Sequence, residues 1–115
     1  MTIARHNAGP RMSGAVVHNN TVYLAGQVAA DPLVGVKGQT EQVLKKIDDL
    51  LKAAGSDKSK LLSATIFLAD IRGFDEMNAA WDAWVVAGST PGRATVEARL
   101  ANAKYLVEIV AIAAV

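Results

Sequence analysis

Cysteine is absent from this chain of 115 residues. That excludes disulfides, thiolate metal sites and cysteine nucleophiles together. An excess of either charge is absent too: 12 Lys+Arg stand against 11 Asp+Glu, for a net charge of +1. So even a balance produces no long-range field toward nucleic acid or an anionic membrane, and neither is expected as a partner. The longest apolar run lies at the C-terminus and is broken by Glu108, so no segment reads as a bilayer span. The opening MTIARHNAGPRMSG lacks the apolar centre of a secretory signal, and a cytoplasmic location is expected. Neither a P-loop nor a Gly-x-Gly-x-x-Gly motif occurs. His6 and His18 have no carboxylate or second histidine at ligand spacing, so no metal site is expected. No serine stands in a nucleophile elbow.

What is present is the mix of a globular protein, 51% hydrophobic and 20% charged. A chain this short supports one core, so residues 1–115 are expected to form a single domain. Ala15–His18 and Thr21–Ala25 are β-prone runs around Asn19-Asn20, and Asn tolerates the positive φ of a tight hairpin. Gly26, just past the second run, marks a bulge or a close backbone approach. Asp31-Pro32, Gly35 and Gly38 punctuate a loop. Val43, Leu44, Ile47, Leu50, Leu51 and Ala54 then fall on one helical stripe that Gly55 stops. Glu41 with Lys45, and Asp48 with Lys52, make i,i+4 pairs on its outer side.

Leu61–Ala69 reads as a buried strand, and Asp70 as the cap of a second helix. Ile71, Phe74, Met77, Trp81, Trp84 and Val85 form that helix's apolar stripe. Arg93–Leu100 alternates, with Ala94, Val96, Ala98 and Leu100 on one side and Arg93, Thr95, Glu97 and Arg99 on the other. A turn near Asn102 leads to a last strand, Tyr105–Val115, apolar on both faces. The order ββαβαββ predicts an α+β sheet with both helices on one face. A turn at Asn102 pairs the last two strands as a hairpin, with Arg93 opposite about residue 112 and Glu108 roughly 13 Å further along. The doubly apolar last strand needs a second cover, which a homo-oligomer or a strongly curled sheet supplies.

Glu108 is the one charge in that last strand. A carboxylate there needs a partner or a raised pKa, as a general acid or base does; half of a structural ion pair is the other reading. Arg93 opens its strand after Pro91-Gly92 and either offers its planar fork to a carboxylate or is simply solvated. Asn78 lies beside the second stripe, where a half-buried amide wants a partner.

Tyr23-Leu24-Ala25-Gly26-Gln27-Val28, Asn78 within MNAAWDAW, Pro91-Gly92-Arg93-Ala94-Thr95-Val96-Glu97 and Leu106-Val107-Glu108-Ile109 resemble the reactive-intermediate deaminase family, also called YjgF/RidA. The resemblance runs from about Ser13 to Val115. It implies a chorismate-mutase-like fold, a homotrimer and clefts between subunits. It further implies hydrolysis of small 2-imino acids, or their enamine tautomers, to 2-keto acids and ammonia without a cofactor. By the same resemblance Arg93 holds the substrate carboxylate and Glu108 positions or activates water. Gly26 and Thr95 line the pocket, and Asn78 matches the family's helix asparagine. Arg11-Met12-Ser13 stands where a Tyr is often found, and Asn102 near a usual Pro, so the pocket wall differs. A non-catalytic 2-keto acid-binding or regulatory module is the alternative on the same residues. A holdase or a translation-linked nuclease is a further one, which the near-neutral charge disfavours.

Overall fold

The structure is a computed structural model that describes residues 2–115. Its strands are β1 (Ala4–His6), β2 (Ala15–His18), β3 (Thr21–Leu24), β4 (Leu61–Leu68), β5 (Gly92–Glu97) and β6 (Val107–Ala114). Its helices are α1 (Val36–Ala53) and α2 (Phe74–Trp84). The expected α+β architecture is present, with one addition. β1 is a three-residue strand that pairs with β2 through Arg5 opposite Val16. So short a strand leaves no periodicity to detect.

The β2–β3 hairpin forms as expected. Asn19 and Asn20 adopt φ of 52° and 60°, and His18 faces Thr21 across the two-residue loop. Both central residues at positive φ match the right-handed twist of the strands, and asparagine enters that region at little cost.

α1 starts earlier than its stripe, at Val36, and runs through Gly38. A side chain at Gly38 would press on Val34, so the glycine lets the incoming loop fold onto the first turn. The predicted outer pairs do not form. Lys45 instead bonds Asp49 at 2.7 Å, and the Asp48 carboxylate accepts the Trp84 indole N–H at 3.0 Å. An interhelical bond to a half-buried indole competes well with a solvated lysine. Gln39 is fully buried and saturated. Its amide donates to the carbonyls of Pro32, Val34 and Lys104 and accepts from the Leu106 N–H. This ties the loop before α1 to the residues that lead into β6, and so fixes the approach of the strand carrying Glu108.

The Asp70 carboxylate accepts from the Arg72 backbone N–H at 2.9 Å, capping a 3-10 turn over Ile71–Gly73 that runs into α2. Met77 and Trp81 of the predicted stripe are buried, but Ile71 and Phe74 remain exposed.

The sheet has six strands in the order β1-β2-β3-β6-β4-β5. Here the expectation of a final hairpin is overturned. Among the described residues β5 pairs only with β4, in parallel, and β6 lies on the other side of β4, antiparallel to it. The reason is the helix between β4 and β5. A strand–helix–strand crossover returns the chain in the same direction, so β5 becomes an edge, and β6 fills the gap between β3 and β4. The predicted position of Arg93 opposite residue 112 therefore does not occur.

Both helices pack on one face of the sheet. Val43, Leu44, Ile47 and Leu51 of α1 and Met77 and Trp81 of α2 meet Val22, Leu24, Ile66, Leu68, Val107 and Ile109 in one core. The opposite face carries Tyr23, Phe67, Ala94, Val96, Val110 and Ile112, and neither helix covers it.

Candidate functional site

Arg93 sits near the start of β5, level with Ala64 of β4. Ala64 belongs to the buried, helix-facing row, and paired residues in a sheet point the same way, so Arg93 is directed toward α2. Its Nη1 donates to Asn78 Oδ1 at 2.8 Å. Its guanidinium carbon lies 5.3 Å from the centre of a Trp81 ring and 5.8 Å from that of Phe74. Among the described residues no carboxylate pairs with it, since the ion pairs present are Lys45–Asp49 and Arg72–Asp70. Two separately named candidates, Arg93 and Asn78, thus meet, with the amide oxygen as acceptor.

Thr95 stands on the same face of β5, two residues on, and its hydroxyl oxygen is buried without a hydrogen-bond partner. A buried hydroxyl left unpaired costs about 1–3 kcal/mol. The unpaired hydroxyl lies at the same end of β5 as the unneutralised Arg93 guanidinium.

Glu108 occupies the opposite face. It pairs with Phe67 in β6–β4, on the row that points away from the helices, and is half-buried. Among the described residues no cation or hydrogen-bond donor reaches it, so the ion-pair reading is not met there. What it meets is Gly26. A methyl group on Gly26 would overlap the Glu108 carboxylate, which makes this the close approach that the glycine announced. Gln27 next door exchanges two backbone hydrogen bonds with Ile109, holding the segment against β6 at this point. The other side of Gly26 opens into a cavity of about 500 Å³ that Met12, Ser13, Gly14, Lys46 and Leu50 also line.

The candidate residues therefore form two groups. Arg93, Asn78 and Thr95 gather at the β5–α2 edge. Gly26 and Glu108 gather over β6. Three residues along the strand and two strands across separate Arg93 from Glu108, roughly 14 Å on ordinary sheet spacings, and they point to opposite faces. The cavity beside Gly26 is lined by neither Arg93 nor Glu108. Residue-by-residue reading missed the contribution of Phe74 and Trp81, which it placed in the core stripe. Their spacing with Asn78, i, i+4 and i+7, was the available signal.

A family model described as Endoribonuclease L-PSP matches residues 2–115. The RutC family protein YoaB of Escherichia coli strain K12 is 52% identical over 115 residues, covering all of both chains. The chain belongs to the YjgF/RidA family. A YjgF-family member from Neisseria meningitidis, solved by crystallography, superposes with a TM-score of 0.97 at 45% identity, over 99% of this chain and 95% of that one. The fold is accordingly a YjgF fold. A rat protein named 2-iminobutanoate/2-iminopropanoate deaminase is 36% identical over 107 residues, covering 88% of this chain and 77% of its own. YoaB's name states membership of the RutC group and no reaction. No helix among the described residues is long and apolar enough to cross a membrane.

Proposed function

We propose that this protein binds small 2-imino and 2-keto acids by their carboxylate on Arg93 and hydrolyses the imines to 2-keto acids and ammonia, in a cleft shared by two copies of the chain. The observation that carries the reading is the state of Arg93. An arginine held by an amide and two aromatic rings, with no carboxylate beside it, keeps its charge and most of its N–H groups for an incoming anion. The orphan Thr95 hydroxyl offers a further donor at the same edge. The rat relative's name supplies the substrate class.

Glu108 completes the chemistry from a second copy. Its carboxylate lies over Gly26 on the face that no helix covers, and the apolar side chains around it favour burial against another chain. In the homotrimer the resemblance implies, the β5 edge of one copy meets this face of the next. Water attacks the iminium carbon and passes a proton to the Glu108 carboxylate. The carbinolamine nitrogen then takes that proton, and the C–N bond breaks as the Glu108 carboxylate removes the hydroxyl proton, so that the carbonyl forms and ammonia leaves. Arg93 fixes the carboxylate throughout, and orientation of this kind is worth several kcal/mol, on the order of 7 or more in favourable cases. No cofactor enters these steps.

Complementation tests the shared cleft. Arg93→Ala and Glu108→Gln chains are each expected to be inactive toward imines generated in situ by an amino-acid oxidase. Mixed, unfolded and refolded together, they are expected to recover about a quarter of wild-type turnover, because one junction in four pairs an intact Arg93 with an intact Glu108. No recovery from folded, assembled mixtures overturns the two-copy site.

A non-catalytic role is the second reading, favoured by the fact that YoaB, identical at half its positions, carries no reaction in its name. Saturable 2-keto acid binding with no ammonia released from any imine establishes it. Ribonuclease action, which the family model's description mentions, has less support. Twelve basic against eleven acidic residues leave almost no net charge to attract phosphates.

A further inference from the structure

Arg93 is held by one face of one helix. Phe74, Asn78 and Trp81 recur along α2 at i, i+4 and i+7, the spacing that aligns side chains on a single stripe. The two outer members set aromatic rings within cation–π range of the guanidinium carbon, at 5.8 Å and 5.3 Å, and the middle one accepts its Nη1 at 2.8 Å. Trp81 is 5% exposed, and its burial in the core fixes the ring rigidly. Phe74 is 38% exposed, so packing alone gives little reason for an aromatic ring there.

The chemistry of these partners matters. A free arginine side chain has many rotamers to give up on binding. A carboxylate would restrain it by neutralising it, whereas two π faces and an amide oxygen restrain it and leave the charge in place. We propose that Phe74 and Trp81 are positioning residues that hold the Arg93 fork open for a carboxylate, so that α2, rather than β5 alone, sets where the bound acid lies. This rests on the reading of Arg93 as the carboxylate anchor. It adds that an aromatic face at position 74 tunes affinity for the acid.

Phe74→Leu is the direct test, because it removes the π face at an exposed position where folding is insensitive. With 2-oxobutanoate as the probe, it is expected to weaken binding by about 2- to 30-fold, the range of a cation–π contact. KM for the corresponding imine rises by a similar factor, kcat stays within about twofold, and Tm is unchanged. Phe74→Tyr restores the wild-type affinity. Trp81 gives an independent readout. In a Trp84→Phe background it is the one remaining indole, and its emission is expected to change saturably with 2-oxobutanoate and to be silent in the added Arg93→Ala variant. Wild-type binding by Phe74→Leu, or an unresponsive Trp81 while Arg93→Ala is defective, overturns the bracket and leaves the anchor standing. Wild-type binding by Arg93→Ala overturns both.

Discussion

Arg72, in the turn before α2, and Arg93, on the strand after it, are held by different kinds of partner. Arg72 closes a fork on Asp70, with Nε and Nη2 both donating to the carboxylate and Nη2 at 2.6 Å. That hydrogen bonding, reinforced by the Arg72 backbone N–H, holds the Asp70 carboxyl well below its ordinary range, at about 2. Arg93, by contrast, has an amide and two rings. The first arginine is neutralised and finishes a cap; the second is immobilised with its charge intact. A guanidinium's neighbours, more than its exposure, distinguish a structural role from a binding one.

The largest expected effect separates the two directly. Arg93→Ala lowers kcat/KM for oxidase-generated imines by about a hundredfold or more while the fold is retained, because the substrate loses its orientation. Arg72→Ala stays within about twofold, as befits an exposed ion pair. Equal losses in the two variants would erase the distinction.

A smaller effect probes the other half of the site. Gly26→Ala places a methyl group where the Glu108 carboxylate now lies. The side chain can swing away, so stability falls by about 1 kcal/mol or less, while turnover drops by about tenfold or more as the proton acceptor leaves its place. A paired measurement of Tm and kcat checks this, and an unimpaired kcat removes the Gly26–Glu108 contact from the chemistry.

The smallest effect concerns the neutralised arginine. Asp70 titrates at about 2 in the folded chain against an ordinary 3.8. A depressed folded-state value stabilises above the ordinary value and is lost as pH falls through the folded one. The Tm difference between wild type and Arg72→Ala is therefore expected to be small near neutrality and to close as pH drops from about 4 to about 2. A difference that persists at the acid end assigns Arg72 a packing role instead.

Much of the local structure is written in the residues around it. The Asn19-Asn20 hairpin, the α1 stripe and the Asp70 cap on the turn before α2 all follow from preferences that span a few positions, whereas β5 stops at Glu97, short of the expected Leu100. The misreadings turn mostly on partners that are distant in the chain. Lys45 takes Asp49, a different i,i+4 neighbour from the expected one, whereas Asp48 takes Trp84, 36 positions away. β5 and β6 were expected to pair because they are adjacent in order, yet β4 lies between them. Glu108 stood out by its charge alone, but that Gly26 presses against it is a contact between distant segments.

Period and composition by themselves determined the α+β class, its two amphipathic helices, its Asn-Asn turn and the short list of residues proposed to do chemistry. Family membership followed from the same string of residues. Only the tertiary structure decided the strand order, the bracket of α2 around Arg93, and the placement of Arg93 and Glu108 on opposite faces of the sheet. The physical reason is range. Backbone preferences and side-chain periodicity act within a turn or a strand, whereas which strands pair, and which side chains then meet, depends on how the whole chain closes its core.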